Sequence, residues 1–322
     1  MKEHSLQVLL LTIALVLAGL ACRWGDQHAS ESTAIFTDSL LHDGLERTFL
    51  MHVPASYDGV HQIPLVLALH GGGGTGANMI ALTEDLNNLA DEQGFMVVYP
   101  DGIEKHWNDG RELSNRPAFT KNVDDVGFLK TLVERISQDY QIDLKHIYVM
   151  GISNGGQMSY RLACESSTTF TAIAAVGSSL SEELFASCAP TQPVSVLVMN
   201  GTADPLVPWH GGTIHIGRQE FGRAVSAFET VNFWIKANQC DAHAVSIELP
   251  DSDPDDGTRV MLDAYEGCTS GSAVEFFTIE GGGHTWPGGL QYLPEWLVGK
   301  TSRDVEANQL IWRFFSEHAK SG

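Results

Sequence analysis

The chain has 322 residues, of which 43% are hydrophobic and 18% are charged, so it can bury a large core and is not a disordered tail. Acidic residues outnumber basic residues by 40 to 19, which leaves a formal net charge of −21. Because like charges repel, this excess argues against nucleic acid or an anionic membrane surface as a partner.

The first 21 residues (1–21) are predicted to be a secretory signal peptide. Residues 6–21 are mostly apolar and end in small residues before Cys22, whereas a transmembrane helix, the alternative, needs about 20 apolar residues. Residues 17–22 resemble a bacterial lipobox, whose cysteine is acylated, although Gly19 stands where that pattern has leucine. The sequence therefore predicts a secreted or periplasmic protein and leaves two fates open: a membrane-anchored lipoprotein with its lipid on Cys22, or simple cleavage near Ala21.

Residues 22–43 are predicted to be a polar tether and residues 44–322 one folded domain, since no repeat or linker divides them. Along this domain, short apolar runs alternate with stretches whose apolar residues recur at helical spacing. Predicted strands span residues 46–53, 64–70, 95–99, 146–150, 172–176 and 194–200. Predicted helices span residues 76–94, 126–136, 155–163 and 224–237. The alternation predicts an α/β fold with a mostly parallel central sheet and helices on both faces.

The pattern changes near residues 245–279. Three apolar stretches, 245–249, 259–265 and 274–279, follow one another without helices and predict an antiparallel extension of the sheet. The Asp-rich loop at 251–257 is interrupted by Pro254 and lacks the glutamate of an EF-hand, so it is interpreted as a solvated turn. A last amphipathic helix is predicted over residues 305–318.

Four cysteines lie in the predicted domain, an even number in a protein expected to be exported. They allow three pairings; Cys164–Cys188 and Cys240–Cys268 are favoured because each closes a short loop. Four buried free thiols are the alternative. None of the four has the Cys-x-x-Cys or Cys/His spacing of a zinc site, so no metal is predicted.

Residues 151–155 read Gly-Ile-Ser-Asn-Gly, which fits the G-x-S-x-G pattern of a serine nucleophile. The pattern follows a predicted strand and opens a predicted helix. In that context the flanking glycines permit a strained turn that presents the hydroxyl of Ser153 at the edge of the sheet. An ordinary Gly/Ser turn is the alternative, but the strand and helix on either side favour Ser153 as a nucleophile.

A serine hydroxyl needs a base, and the base needs an orienting carboxylate. Asp204 and His284 each follow a predicted strand. Their chain order, Ser, Asp, His, is the one used by serine hydrolases whose nucleophile lies in such a strand-turn-helix motif. Asp125 is interpreted as a helix cap instead, and His210 and His215 follow no predicted strand. Ser153, Asp204 and His284 are therefore the predicted catalytic triad.

Residues 70–74 read His-Gly-Gly-Gly-Gly directly after an early predicted strand, where an oxyanion hole belongs in this fold. We expect the backbone N–H of Gly72 to be one donor, with Gly71 or Gly73 close by, and that of Asn154 to be the other. A phosphate-binding loop, the alternative, would need the Lys-Ser/Thr ending or GxGxxG spacing that is missing here.

Taken together, these motifs and the segments Tyr-Pro-Asp-Gly at 99–102, Trp-Asn-Asp at 107–109, Asp-Asp-Val-Gly-Phe at 124–128 and Gly-Thr-Ala-Asp at 201–204 resemble the secreted polyhydroxybutyrate depolymerase and feruloyl esterase-like family of α/β-hydrolases. The resemblance implies an α/β-hydrolase fold and a serine esterase that uses Ser153, Asp204 and His284 and needs no metal or organic cofactor. It leaves the ester substrate open among polyesters, feruloylated or acetylated polysaccharides and small esters.

Three tryptophans, Trp107, Trp209 and Trp286, fall in loops beside the predicted site and are candidates to line a substrate pocket; plain packing is the alternative. Two other functions are compatible with this fold. One is a serine peptidase, and the other is a surface binding protein without turnover, which would have no need for an intact triad.

Overall fold

The computed structural model describes residues 35–319 of the chain. The predicted signal peptide at 1–21, the proposed acylation site Cys22 and the first part of the 22–43 tether lie outside the described residues. Among the helices of residues 35–319, none is both long enough and apolar enough to span a bilayer.

Twelve strands and nine α-helices follow one another in the described part of the chain. The strands are β1 Ile35–His42, β2 Leu45–His52, β3 Ile63–Leu69, β4 Met96–Pro100, β5 Ile142–Ile152, β6 Ala172–Val176, β7 Ser195–Gly201, β8 Gly212–Ile216, β9 Gln219–Ala224, β10 Val245–Glu248, β11 Arg259–Tyr265 and β12 Val274–Glu280. The helices are α1 Gly76–Thr83, α2 Leu86–Gln93, α3 Pro117–Thr120, α4 Asp125–Asp139, α5 Asn154–Glu165, α6 Glu182–Ser187, α7 Ala227–Ala237, α8 Glu295–Val298 and α9 Ala307–Ser316.

Ten strands form one sheet in the order β1-β2-β4-β3-β5-β6-β7-β12-β11-β10. The six central strands, from β4 to β12 in this order, run parallel. The pairs at both ends of the sheet are antiparallel. The predicted α/β fold is thus confirmed, and the antiparallel extension at 245–279 consists of β10 and β11, while β12 completes the parallel part.

Helices cover both faces of the sheet, as the hydrophobic pattern of β3 illustrates. Leu65, Leu67 and Leu69 point into a core that includes α4, α5 and α7. Val66 and Ala68 point into a second core with α1, α2 and α9. Because side chains of a strand alternate between faces, a continuous apolar run is needed where both faces are covered.

The folded domain begins earlier than the sequence predicted. The 22–43 tether is wrong for residues 35–42, which form strand β1 and pair along their whole length with β2. Most of the β1 side chains are exposed. An edge strand whose two faces are both exposed to solvent needs no alternation of apolar and polar residues. The sequence of β1 therefore has no pattern that would predict a strand.

The helix predicted between Gly76 and Gly94 is two helices, because Glu84 breaks it with φ 46° and ψ −90°. The last carbonyl groups of α1 accept hydrogen bonds from other segments of the chain. The Asn308 side chain donates to the Thr83 carbonyl over 2.6 Å, and the Leu290 N–H donates to the Leu82 carbonyl. Tertiary contacts therefore end α1 where local spacing would continue it.

The hairpin formed by β8 and β9 lies outside the main sheet, and the sequence did not predict it. His215, interpreted as following no strand, lies within β8. The favoured cysteine pairing is the one in the structure: Cys164 is bonded to Cys188, and Cys240 to Cys268. The first bridge ties the end of α5, the helix after Ser153, to the residue that follows α6.

Candidate active site

Ser153 occupies a sharp turn between β5 and α5, with φ 56° and ψ −119°. Positive φ at a non-glycine residue is strained by about 1–3 kcal/mol and is concentrated at functional sites. The two glycines of the motif are required by close approach: a Cβ on Gly151 would lie 2.5 Å from the carbonyl carbon of Gly155, and one on Gly155 would lie 2.3 Å from the Leu69 carbonyl oxygen. The motif therefore sets the geometry that presents the Ser153 hydroxyl.

Asp204 and His284 form a buried pair, with Asp204 Oδ2 lying 2.7 Å from His284 Nδ1. The other carboxylate oxygen of Asp204 accepts the N–H groups of Leu206 at 2.7 Å and Val207 at 2.9 Å. Since a carboxylate only accepts, the proton of a neutral His284 sits on Nδ1 and Nε2 is left as the acceptor. This is the orientation that a general base in a serine hydrolase needs.

The segment after β6 joins this pair to Ser153. The Ser153 N–H donates to the Val176 carbonyl over 3.0 Å. At the next residue, a Cβ on Gly177 would lie 3.2 Å from His284 Nδ1 and 3.8 Å from Asp204 Oδ2. The structure thus brings the three predicted triad residues to the same short stretch of chain.

Within residues 35–319, no hydrogen bond joins the Ser153 hydroxyl to His284, whose ring bonds to Asp204 alone. Contacts of this kind are often long in unliganded active sites and tighten when substrate binds. The pair that orients the base is therefore already formed, and the contact with the nucleophile is the remaining step.

The glycine loop at 70–74 lies beside Ser153. A Cβ on Gly71 would lie 3.5 Å from the Cβ of Ser153, and one on Gly72 would lie 3.7 Å from the Cβ of Asn154. Asn154 is the first residue of α5, where backbone N–H groups have no partner within the helix. The glycine loop and the start of α5 thus both lie next to Ser153.

Two of the loop glycines are excluded as donors by their own hydrogen bonds. The Gly73 N–H donates to the Lys105 carbonyl over 2.8 Å, and the Gly74 N–H donates to the Gly71 carbonyl over 3.0 Å. In the part of the chain that the structure describes, the Gly72 N–H has no such partner. This leaves Gly72 available to an oxyanion and removes Gly73 from the alternatives.

His70 holds the glycine loop in place. Its Nδ1 lies 2.8 Å from the Gly71 carbonyl, and its Nε2 accepts the Gly102 N–H over 2.9 Å. Burial lowers the pKa of His70 from 6.5 to about 4, so the ring is neutral at pH 7 with its proton on Nδ1. The Trp107 indole packs against this ring and donates to the His70 carbonyl over 3.0 Å.

The side chain of Asn154 has a role that the sequence did not reveal. Its oxygen accepts the Trp107 N–H at 2.8 Å, and its nitrogen donates to the Trp107 carbonyl at 2.9 Å and to Asp109 at 2.6 Å. Asp109 in turn holds the buried Arg111 guanidinium over 2.6 Å. These bonds fix the 107–109 loop to Asn154, whose backbone N–H is a predicted oxyanion donor. The only sequence signal for this loop was the Trp-Asn-Asp motif.

The pocket predicted from the tryptophans is wrong for two of them, because Trp107 and Trp286 are 0% exposed. Trp286 donates its indole N–H to Asn308 over 3.0 Å and is part of a core. Trp209 is half-buried and stacks on Phe276 with ring centroids 5.6 Å apart. Its place in a pocket stays a prediction.

Asp125 was interpreted as a helix cap, but the cap of α4 is Asp124, whose side chain accepts the Gly127 N–H. Asp125 is buried instead, with the Arg47 guanidinium 2.6 Å away and the Asn108 N–H 2.7 Å away. Burial raises the pKa of Asp125, against the opposing effect of Arg47. The pair thus also holds the 107–109 loop, through the Asn108 N–H.

A group of possible metal ligands includes Asp124, the cap of α4. His42, Asp43 and Asp124 have ligand atoms within 4.8 Å of one another, and both aspartates are exposed. His42 Nε2 already lies 3.2 Å from Asp124, and Asp124 caps a helix. These contacts account for the cluster without an ion.

The sequence matches the family described as "Esterase PHB depolymerase" over residues 48–206, a range that includes Ser153 and Asp204. It is also 34% identical over 250 residues to the protein named "Putative esterase NocK" from Nocardia uniformis subsp. tsuyamanensis, covering 75% of this chain and 71% of the relative. The chain belongs to this esterase family.

Two further similarities agree with this membership. Feruloyl esterase B from Piromyces equi is 26% identical over 244 residues, which span 74% of this chain and 42% of that longer protein. The structure of the acetyl xylan esterase from Aspergillus awamori superposes with a TM-score of 0.55 at 14% identity, covering 88% of this chain and 99% of that one. The second match supports the fold, and the first supports the esterase family.

Proposed function

We propose that this esterase is an exported serine carboxylic-ester hydrolase that works through an acyl-enzyme. The observation that carries the proposal is the buried Asp204–His284 pair, set against the same Val176–Gly177 segment that binds the backbone of Ser153. Export is supported by the two disulfides, which persist in oxidising compartments. Both fates of the predicted signal, a lipid on Cys22 or simple cleavage near Ala21, are compatible with this proposal.

In the first half of the reaction, His284 Nε2 takes the proton of the Ser153 hydroxyl while the serine oxygen bonds to the ester carbonyl carbon. The N–H groups of Gly72 and Asn154 stabilise the negative charge on the former carbonyl oxygen. The bond to the alcohol oxygen then breaks, and His284 gives its proton to the departing alcohol. The products of this half are the free alcohol and acyl-Ser153.

In the second half, water replaces the alcohol and attacks the acyl group while His284 removes its proton. Breakdown of the second tetrahedral intermediate releases the acid, and the proton returns to the Ser153 oxygen. Asp204 stays ionised throughout, holds the His284 ring in one tautomer and stabilises its protonated form. Every protein group that these steps use lies within residues 35–319, and the reactants are the ester and water.

The substrate class follows from the relatives and from charge. The named relatives include a feruloyl esterase and an acetyl xylan esterase, so neutral esters of polysaccharides are candidates beside polyesters and small esters. The net charge of −21 disfavours anionic substrates and leaves neutral esters unaffected. Short aryl esters should be cleaved whichever natural ester is used.

The proposal is tested by labelling the folded protein with a fluorophosphonate and by a hydrolysis panel of p-nitrophenyl acetate, p-nitrophenyl butyrate, methyl ferulate and acetylated xylan. Labelling is expected in the natural chain and lost in Ser153→Ala. A folded protein that is not labelled and cleaves no ester would be a binding protein. A folded protein that is labelled but cleaves no ester of the panel would be assayed on peptides, whose cleavage would indicate a serine peptidase.

A further inference from the structure

An arginine without a carboxylate partner lies near the glycine loop. Residues 35–319 contain ten arginines, and seven of them form an ion pair with a carboxylate: Arg47, Arg111, Arg135, Arg161, Arg223, Arg259 and Arg313. Of the other three, Arg218 and Arg303 are exposed, whereas Arg116 is half-buried. In this part of the chain, Arg116 is thus the one arginine that is withdrawn from solvent without a carboxylate to balance its charge.

His106 connects Arg116 to the glycine loop. A Cβ on Gly72, whose N–H is a predicted oxyanion donor, would lie 3.5 Å from His106 Nε2. The same nitrogen accepts the Nε–H of Arg116 over 3.2 Å. Burial, assisted by the charge of Arg116, lowers the pKa of His106, and His106 Nδ1 lies 2.9 Å from the Glu104 carbonyl. The ring is therefore neutral with its proton on Nδ1, and a single imidazole separates the guanidinium from Gly72.

The contacts of Arg116 hold its guanidinium without using all of its donors. Nη1 donates to the Asn115 carbonyl over 3.2 Å, and Nη2 donates to Gln219 Oε1 over 3.4 Å. The Phe221 ring centroid lies 5.1 Å from Arg116 Cζ. A guanidinium has five N–H groups, so one on each terminal nitrogen has no partner in the described residues. Two such N–H groups on one planar group match the two oxygens of a carboxylate.

The acidic surface of the chain does not prevent an anion from binding at this point. Repulsion by the net charge of −21 acts at a distance, and salt screens it beyond about 8 Å at physiological ionic strength. Arg116 would instead contact the anion directly. Because the guanidinium is half-buried, the attraction is screened less than it would be on an open surface.

The position of Arg116 favours the acyl part of an ester over the alcohol part. In the proposed reaction, the alcohol oxygen must face His284, which gives it a proton, and the carbonyl oxygen must face Gly72 and Asn154. The alcohol therefore lies on the His284 side of the reacting carbon. The acyl chain is the part that can extend along the glycine loop toward His106 and Arg116.

We propose that Arg116 binds a carboxylate at the far end of the acyl chain, so that half-esters of dicarboxylic acids are substrates of this enzyme. This assignment rests on the proposed esterase function and adds a substrate class to it. The carboxylate pairs with the two remaining N–H groups of Arg116 while Ser153 attacks the ester carbonyl at the other end of the chain. Water then releases the dicarboxylate, and the alcohol leaves as it does from any other ester.

The test uses two pairs of ethyl esters that differ only at the end of the acyl chain. Monoethyl glutarate and monoethyl adipate carry a carboxylate where ethyl pentanoate and ethyl hexanoate carry a methyl group. Release of ethanol at pH 7 gives kcat and KM. The variants are Arg116→Gln, which removes the charge, and Arg116→Lys, which keeps it. Lys145→Gln is the matched control, because Lys145 is exposed near the start of β5, at the end of the strand away from Ser153.

Arg116→Gln is expected to lower kcat/KM about tenfold for at least one half-ester, mainly through KM, and by no more than about twofold for its neutral partner. Arg116→Lys should keep part of the difference, because lysine supplies the charge but not the planar pair of donors. Lys145→Gln should behave like the natural chain on all four esters.

Three results would overturn the assignment: no loss on either half-ester in Arg116→Gln, an equal loss on half-ester and neutral ester, or the same selective loss in Lys145→Gln. A natural chain that cleaves p-nitrophenyl butyrate but neither half-ester also overturns this assignment, and it leaves the proposed function intact. A natural chain that cleaves no ester overturns the proposed function itself.

Discussion

Two buried histidines in glycine-rich loops, His70 and His284, show how one side chain serves two purposes. Each has Nδ1 in a hydrogen bond: His70 with the Gly71 carbonyl at 2.8 Å, and His284 with the Asp204 carboxylate at 2.7 Å. They differ at Nε2. That of His70 accepts the Gly102 N–H over 2.9 Å, whereas that of His284 has no partner in the described residues.

The difference separates a structural histidine from one that can move a proton. With both nitrogens used and a pKa lowered to about 4 by burial, His70 can neither take up a proton at neutral pH nor rotate without losing two bonds. His284 keeps one nitrogen free and faces a carboxylate that stabilises its charged form. Substitutions at the two sites should therefore fail in different ways.

The largest effect is expected at His284. His284→Gln removes the base, so kcat/KM for p-nitrophenyl butyrate should fall by about 10⁴-fold or more. The melting temperature should change little beside this loss. His215→Gln, an exposed histidine of the β8–β9 hairpin, is the matched control and should keep full activity. Activity within tenfold of the natural chain in His284→Gln would contradict the triad.

A smaller loss is expected at His70. His70→Ala removes the hydrogen bond to the Gly71 carbonyl in the glycine loop, the hydrogen bond from the Gly102 N–H and the packing against Trp107. Because the proposed oxyanion donors then lose their fixed position, kcat should fall by about 10²-fold, with a smaller change in KM. Steady-state kinetics with p-nitrophenyl butyrate measure both constants. An unchanged kcat in a folded His70→Ala protein would show that the loop is held by other contacts.

The pKa of His70 also predicts how stability depends on pH. The folded-state pKa, about 4, lies below the ordinary value of 6.5, so between these values the unfolded chain binds more protons. Stability from this group is complete above about pH 6.5 and is lost as pH falls to about 4, by about 3 kcal/mol at most. Urea unfolding at pH 7, 5.5 and 4.5 measures the loss. His70→Gln should show a weaker pH dependence, and an identical dependence would refute the assignment.

The sequence predicted the parts of the molecule whose signal is local. Strand β6 was predicted with its observed bounds, since both faces of the sheet are covered and its five residues are all apolar. The turn around Ser153 was predicted because close approach of the backbone demands glycine at Gly151 and Gly155. Strand β1 was not, because neither of its faces needs apolar residues.

The contacts behind the active site were not predicted, because their partners are distant in sequence. Arg47 meets Asp125 across 78 residues, and Asn154 meets Asp109 across 45. No period or turn rule connects such positions. The burial of Trp107 was not predicted for a similar reason. A tryptophan in a loop has no local sequence signal that distinguishes a side chain lining a pocket from one packed in the core.

The smallest expected effect concerns Gly177, which borders the His284 ring. Gly177→Ala places a Cβ 3.2 Å from His284 Nδ1 at a residue with φ +53°. The backbone conformation costs about 1–2 kcal/mol of stability. The ring must also shift by a few tenths of an ångström, so kcat/KM should fall by about tenfold.

A matched control separates these two effects of Gly177→Ala. Gly59 has φ +75° and nothing within 4 Å of an added Cβ, so Gly59→Ala carries the backbone cost without touching the site. Urea unfolding should give similar losses for the two variants, because both force alanine into the left-handed region. Only Gly177→Ala should lose activity. Equal activity in both would mean that the ring of His284 tolerates displacement, and the close packing of Gly177 against it would then have no bearing on proton transfer.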